Sequence, residues 1–228
     1  MNRTAPSASF APGPLLLAAL IFVAALTRLL PHPPNFSPVE AIALFGGAYF
    51  ASRKWALLVP LAGLLVSDLA LGAMHGGTYL QYFTTATYLP SLLAIYACVA
   101  LCSLLGFGLR GRVNGSRVLG YSLAGSVLFF VLSNFATWLT AIAVPGYPAC
   151  NAGLGACYVA GIPFFQWTVL GTLFYAALLF GGFALLRRKV PALRAQTVQT
   201  SRHPERSEGP AFLHHAEKQI LRLRLRMT

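Results

Sequence analysis

Residues 28–47 read RLLPHPPNFSPVEAIALFGG: one apolar segment ends, four prolines follow, and a second apolar segment begins. Proline lacks the amide donor and fixes φ, so a regular helix cannot pass through residues 31–38, which we call the proline corner. Irregular backbone beside apolar spans is tolerated only where it reaches water, is buried in protein or lines a cavity. The corner therefore predicts one wall of a polar site.

The composition on either side of the corner is that of a membrane protein. Hydrophobic residues make up 57% of the 228-residue chain, charged residues only 10%, and the mean hydropathy is +0.66. This is too apolar for an ordinary soluble domain. We expect an all-α polytopic membrane protein, a bundle of six transmembrane helices with an irregular, proline-rich corner between helices 1 and 2. The predicted spans are residues 14–30, 39–51, 55–73, 88–109, 118–144 and 163–186.

Basic residues set the expected orientation of these spans. The loops at 31–38, 74–87 and 145–162 contain no Lys or Arg, whereas the intervening loops are basic. The positive-inside rule then places both termini in the cytoplasm and the proline corner outside. We expect a multi-pass protein in contact with membrane lipids.

Both ends of the chain differ from the membrane domain, residues 14–189. Residues 1–13 predict a disordered leader, with a cleaved signal peptide as the alternative reading of the first apolar segment. Residues 190–228 predict a disordered basic tail that resembles the translated product of a short interspersed bacterial repeat; a basic patch for anionic lipid is the alternative. More than half of the net charge of +12 lies from residue 187 onward, so we expect no nucleic-acid partner.

Sequence motifs for several kinds of chemistry are absent. The chain has no G-x-S-x-G, no phosphate-binding Walker loop, and no H-x-x-x-H or E-x-x-H spacing. We therefore expect neither an ATPase nor a hydrolase, no cofactor and no metal. His32, His75, Glu40 and Asp68 have suitable metal-ligand types, but their spacing does not support a metal site.

The four cysteines fall into two pairs. Cys98 and Cys102 lie at i, i+4 on one predicted helix and are expected to pack as small apolar residues. Cys150 and Cys157 share one predicted outer loop, where an oxidising compartment would permit a disulfide between them.

Polar side chains of the membrane domain converge on the outer face of the predicted topology. Ionisable groups inside a membrane are costly unless paired or solvated, and they usually mark functional sites. Polar groups beside flat aromatic rings are typical of a small-molecule site, so we expect a small polar or zwitterionic ligand. The candidate ligand-binding residues are Arg28, His32, Asn35, Glu40, Asp68, His75, Asn134, Trp138, Tyr158, Gln166 and Trp167.

Two roles are open for the charged members of this set. Glu40 and Asp68 are the only acids in residues 1–186. Arg28 could contact a ligand together with Asp68, or it could form an internal ion pair with Asp68 or Glu40 that fixes helix packing. Glu40 has a further role open to it, since an acid in the first turn of a helix complements the helix dipole.

Short stretches of the membrane domain stand out as motifs: residues 28–38 (RLLPHPPNFSP), 41–47 (AIALFGG), 67–72 (SDLALG), 133–138 (SNFATW), 153–158 (GLGACY) and 163–165 (PFF). Together they resemble an uncharacterised bacterial family of transport proteins. That family is similar to the substrate-binding (S) components of energy-coupling-factor vitamin transporters. The resemblance covers nearly all of residues 15–186.

The resemblance implies a six-helix subunit of the bacterial inner membrane that captures a small molecule from outside. It also implies a separate transmembrane coupling subunit with two ATPases as partners. S components typically dock on that subunit through an A-x-x-x-A face of helix 1. The alanines of helix 1 here, at positions 18, 19, 24 and 25, lack that spacing.

We therefore expect a membrane-embedded, small-molecule-binding subunit of a transporter that captures solute at the extracytoplasmic face. The alternative is an integral-membrane enzyme acting on a lipid or envelope precursor at the same face. A structural assembly protein would explain the small residues Ala43, Gly47 and Ala51 on helix 2, but not the outer polar cluster. We expect that small-residue face to pack inside this protein.

Reporter fusions test the predicted topology. Alkaline phosphatase fused after Gly77 is expected to be active, because the loop at 74–87 has no Lys or Arg and is predicted to lie outside. A green fluorescent protein fused after Asn114 is expected to fluoresce, because Asn114 lies in a basic loop that is predicted to be cytoplasmic. The reverse pattern would contradict the orientation and the placement of the polar site.

Overall fold

The structure is a computed structural model that describes residues 12–76, 84–85, 88–143, 148–190 and 193. Within these ranges the chain is helical and contains no strand. The first helix begins at Pro12, two residues before the predicted boundary, and the rest of the predicted leader lies outside the described residues. The predicted tail also lies outside them, apart from Val190 and Leu193.

Eight α-helices follow one another along the described chain. A 3-10 turn, Thr27–Leu29, follows the first helix, another, Phe107–Leu109, follows the fourth, and a π-helical segment, Ala177–Gly181, joins the last two. The helices are α1 (Pro12–Leu26), α2 (Val39–Tyr49), α3 (Arg53–His75), α4 (Leu89–Gly106), α5 (Gly115–Ala143), α6 (Pro148–Asn151), α7 (Leu154–Ala176) and α8 (Gly182–Lys189).

Long apolar helices confirm the expectation of an all-α membrane protein. Two shorter apolar helices, Gly13–Leu29 and Val39–Tyr49, accompany them. The four stretches that are long and apolar enough to cross a membrane are Arg53–His75, Leu89–Leu109, Gly115–Ile142 and Leu154–Lys189.

Helix α2 is the centre of the bundle. Ten of its eleven residues are buried, and it packs against α1, α3, α4, α5 and α7. At about 1.5 Å per residue it is roughly 16 Å long, whereas the hydrocarbon core of a bilayer is about 30 Å thick. A helix this short cannot reach both faces of the bundle. Its N-terminal end is buried, whereas exposed residues begin at Ala51, two positions after its C-terminal end.

Arg110 completes the C-terminal end of α2. Its guanidinium donates to the carbonyl oxygens of Gly47 (2.8 Å) and Phe50 (2.9 Å) and lies 4.1 Å from the centroid of the Phe107 ring. Burial and the neighbouring Arg53 lower the pKa of Arg110, although an arginine still remains protonated. The side chain therefore satisfies free helix carbonyls with a cation at the negative end of the helix dipole.

Small residues let α2 and α4 approach each other closely. A Cβ added to Gly47 would lie 2.9 Å from the Cα of Gly106, and Ala43 has no exposed surface. The prediction that this face packs inside the protein is confirmed for Ala43 and Gly47. Ala51 lies beyond the end of α2 and is exposed.

The prediction that the last span begins at Pro163 is wrong. Helix α7 begins at Leu154, directly after Gly153 with φ of 130°, and it continues through Pro163. Proline removes one backbone hydrogen bond, a loss that neighbouring helices and local adjustments can absorb in a membrane segment. Tyr158 therefore lies in a helix and not in a loop, and Gln166 lies more than three turns inside α7, not at its start.

The cysteine pairs behave differently. Cys150 and Cys157 form a disulfide that links α6 to α7, the pairing that the sequence left open. Cys98 and Cys102 are free and fully buried on α4, where they act as small packing residues.

Replacing Gly47 with alanine is expected to destabilise the protein by about 1–3 kcal/mol, because the new methyl group would overlap the rigid backbone of α4. The measurement is thermal unfolding in detergent. Gly120→Ala on α5 is the matched control, since Gly120 is exposed with no atom within 4 Å of an added Cβ. Equal melting temperatures for the two variants would contradict the close approach of α2 and α4.

Candidate functional site

A cavity of about 720 Å³ lies at the end of the bundle that carries the proline corner. We call it the outer cavity. It lies over the N-terminal end of α2, where the short central helix leaves space between its longer neighbours. Its lining residues are Arg28, Leu29, Leu30, Pro31, His32, Asn35, Ser37, Val39, Glu40, Leu71, Met74, His75, Ile95 and Phe129.

A tight turn shapes the proline corner. The Phe36 amide donates to the Pro33 carbonyl oxygen (3.0 Å), with Pro34 and Asn35 as the central residues. Asn35 has a φ of 65°, a conformation that asparagine tolerates better than most residues. The turn places the side chains of His32 and Asn35 on the wall of the outer cavity.

Contacts with α7 hold the corner in place. Thr27 and Tyr175 share a hydrogen bond of 2.7 Å between their hydroxyl oxygens. The Phe36 ring packs against Phe174 and Tyr175, with centroid distances of 5.7 and 5.9 Å. A Cβ on Gly171 would lie 2.7 Å from the Ser37 nitrogen, so this position accepts only glycine without a shift of the corner.

Arg28 forms an internal ion pair with Asp68. The Arg28 Nη1 atom lies 2.6 Å from Asp68 Oδ1 and donates also to Ser67 Oγ at 2.6 Å. Ser67 Oγ donates in turn to the Leu64 carbonyl oxygen, and the Tyr96 hydroxyl donates to Asp68 Oδ2 (3.1 Å). The Asp68 side chain is only 6% exposed, so of the two roles open to these residues the geometry favours the internal pair.

Glu40 has no such cationic partner. It is 2% exposed, lines the outer cavity, and forms no ion pair within the described part of the chain. Thr172 of α7 lies close to the carboxyl group, Gly125 of α5 lies against its Cβ atom, and Arg28 attracts it only from a longer distance. A buried, unpaired carboxyl group is costly, so it calls for a proton or a cationic ligand.

Two histidines stand at the mouth of the outer cavity. The Nδ1 atom of His32 lies 2.9 Å from the Pro33 carbonyl oxygen, and that of His75 lies 3.1 Å from the Leu71 carbonyl oxygen. Both side chains are exposed, as is Asn35. They offer hydrogen-bonding groups at the water-exposed rim of the cavity.

The remaining predicted site residues lie elsewhere, on α5 and α7, and do not line the outer cavity. Asn134 donates to the Phe130 carbonyl oxygen and Tyr158 to that of Val131. Trp138 packs against the disulfide, and Gln166 lines a shallow apolar depression on the outside of α7. Trp167 follows on the same helix.

The structure thus gathers one part of the predicted site and separates the other. Arg28, His32, Asn35, Glu40 and His75 line the outer cavity, with Asp68 behind Arg28. Sequence reasoning missed the neighbours of Glu40 and the apolar wall formed by Ile95 and Phe129. Single threonine and phenylalanine residues in apolar helices carry no signal that distinguishes them. In the described part of the chain no three potential metal ligands come together.

Fold and cavity together define an all-α membrane protein with a partly buried polar site at one end of its bundle. The chain belongs to a family of unknown function (DUF6580), whose family model matches residues 8–193 and so includes the proline corner and every described helix. Neither the curated proteins nor the solved structures contain a match to the chain.

A double-mutant cycle tests the Arg28–Asp68 pair. Asp68→Asn alone is expected to destabilise the protein by roughly 3 kcal/mol, because it leaves the half-buried Arg28 guanidinium without its counter-charge. Arg28→Gln combined with Asp68→Asn is expected to recover most of that loss. Thermal unfolding of the four proteins in detergent supplies the coupling energy, and additive effects of the two substitutions would contradict the ion pair.

Proposed function

We propose that this chain is a membrane-embedded, solute-binding subunit of a transport system, similar in role to an S component, which captures a small molecule at the extracytoplasmic face. The observation that carries the proposal is the outer cavity with the buried, unpaired Glu40 on its wall. Its volume of about 720 Å³ suits a small organic molecule.

The lining of the outer cavity supports binding in two stages. Exposed polar groups at the mouth, His32, Asn35 and His75, offer hydrogen bonds to an arriving solute. Deeper in the cavity, Ile95 and Phe129 provide an apolar wall beside the Glu40 carboxyl group. A few convergent polar groups in a largely apolar recess are typical of ligand pockets.

The proposal includes six spans across the bacterial inner membrane with both termini in the cytoplasm. In this arrangement α1 and α2 provide the first two spans, and the proline corner extends the short α2 toward the outer surface. The Cys150–Cys157 disulfide lies near the N-terminal end of α7, which is outside in this orientation, as suits an oxidising compartment. Basic residues at the opposite end agree with the positive-inside rule.

The proposed partners follow from the same role. A transmembrane coupling subunit with ATPases would supply the energy, because this sequence has no nucleotide-binding loop of its own. The alternative, an enzyme acting on a lipid or envelope precursor, would use the outer cavity for a substrate that leaves chemically changed. One experiment on the purified protein separates the two.

Ligand-induced stabilisation tests the proposal. The purified protein is screened by thermal unfolding against vitamins, nucleobases and small ammonium, zwitterionic and carboxylate compounds. A true ligand at a hundredfold excess over its Kd is expected to stabilise the protein by about 2.7 kcal/mol. Glu40→Gln is expected to abolish this response because it removes the charge in the cavity.

Gln166→Ala is the matched control for that experiment, since Gln166 lies outside the outer cavity and its loss should leave the response intact. Mass spectrometry of the recovered compound should show it unchanged. A chemically altered compound would favour the enzyme instead, and an equal response from wild type and Glu40→Gln would contradict binding at this site.

A further inference from the structure

A second cavity lies at the opposite end of α2. It has a volume of about 640 Å³ and lies where the basic loop between α4 and α5 meets α7 and α8. We call it the inner cavity. Its lining includes Tyr49, Ser122, Leu173, Ala177, Phe180 and Gly181.

The two cavities approach each other along α5 and α7. On α5, Phe129 lines the outer cavity and Ser122 the inner one, a separation of roughly 10 Å along the helix. On α7, Thr172 lies beside Glu40 of the outer cavity, and the next residue, Leu173, lines the inner cavity. Only about two turns of helix therefore separate the cavities.

The layer between the cavities contains hydroxyl groups without partners. Ser126 in this layer and Ser122 at its inner edge are fully buried, and in the described part of the chain neither oxygen atom has a hydrogen-bond partner. Thr172 is also fully buried and interacts with the Glu40 carboxyl group. Ser126 lies one turn from Ser122 on α5 and adjoins Gly125, which lies against Glu40. Unpartnered buried hydroxyls are rare because each costs about 1–3 kcal/mol. A passing polar group or water would satisfy them.

An irregular segment follows the end of α7 in the wall of the inner cavity. The regular hydrogen bonding of α7 changes to a π-helical segment at Ala177–Gly181, and Ala177, Phe180 and Gly181 of that segment line the inner cavity. Such segments occur frequently at functional sites, and they are places where a helix can bend. The wall of the inner cavity is thus built on a helix that can change its local geometry.

We propose that the two cavities are the outer and inner vestibules of one translocation path through this chain, closed between them by the layer that contains Ser126 and Thr172, and that its solute is a small cation held at Glu40. The path runs between α2, α5 and α7. This goes beyond the proposed binding function, because it places the passage of the solute inside this subunit and not in a partner.

The charge of the path follows from its two ends. In the outer cavity Asp68 neutralises Arg28, so Glu40 is the carboxyl group without an ion-pair partner nearest to the closing layer, and a bound cation would stabilise its ionised form. The hydroxyls of Ser126 and Thr172 can direct their oxygen lone pairs toward a cation, as water does. An anion would meet the carboxylate of Glu40 before it reached them.

Cysteine labelling in oriented vesicles tests the path without knowledge of the solute. The variants Ser126→Cys and Thr172→Cys are made in a background with Cys98→Ala and Cys102→Ala.

Three further variants serve as references. Phe129→Cys reports on the outer vestibule and Ser122→Cys on the inner one. Val99→Cys is the control, since Val99 is 1% exposed and lines neither cavity. A membrane-impermeant thiol reagent is added to right-side-out or inside-out vesicles. The native Cys150–Cys157 disulfide does not react.

The path predicts that Ser126→Cys and Thr172→Cys are labelled from both sides, while Val99→Cys is labelled from neither. Labelling of Ser126→Cys from neither side, with the two vestibule positions reacting from their own sides, would show two separate pockets and overturn the path. A different result bears on the binding site: failure of Phe129→Cys to react from outside would contradict the proposed outer binding site. Labelling of Ser126→Cys from both sides would still support the path in that case.

The preference for cations is tested at the same position. Cationic and anionic reagents of similar size are compared at Ser126→Cys from the outer side, with rates divided by those for a small free thiol. The comparison is made at alkaline pH, so that the Glu40 carboxyl group is ionised. The cationic reagent is then expected to react about tenfold faster because of the nearby carboxylate, and Glu40→Gln should reduce the ratio to about one. A ratio that Glu40→Gln leaves unchanged would overturn the assignment of Glu40 as the cation contact.

Discussion

The rest of the structure depends on the short length of its central helix. Helix α2 has eleven residues, nearly all buried, and no lipid-spanning length of its own. Its neighbours enclose it, and a cavity lies near each of its ends. The proline corner fills part of the space at one end, and Arg110 donates hydrogen bonds to the free carbonyl oxygens at the other. Close packing through Gly47 holds the arrangement together.

Near the N-terminal end of α2, one arginine lies close to two buried carboxyl groups. The region around the N-terminal end of α2 contains Arg28, Asp68 and Glu40, and one cation cannot serve two buried carboxylates equally well. The hydrogen bonds of Ser67 and Tyr96 assemble around the Arg28–Asp68 pair, so Glu40 remains without an ion-pair partner in the described residues. That asymmetry distinguishes a structural ion pair from a group available to a ligand.

The sequence predicted the helical class, the long apolar helices and the internal packing of Ala43 and Gly47, because hydropathy and small-residue spacing report directly on burial. It also identified the polar residues near the proline corner. It could not choose between Asp68 and Glu40 as the partner of Arg28, because that depends on distances of a few ångströms across helices. It misplaced Gln166 because Pro163 was interpreted as a helix start, whereas tertiary packing carries α7 through that proline.

Two vestibules separated by a thin layer would also concentrate the membrane potential. Water-filled cavities at both ends of α2 would leave only about 10 Å of protein between them, about a third of the hydrocarbon thickness. Nearly the whole potential would then fall across the layer that contains Ser126 and Thr172. A unit charge crossing 100 mV gains about 2.3 kcal/mol, and a negative cytoplasm draws cations inward. A cation at Glu40 would therefore move inward down its electrical gradient, so that the step across the layer would need no nucleotide site in this chain.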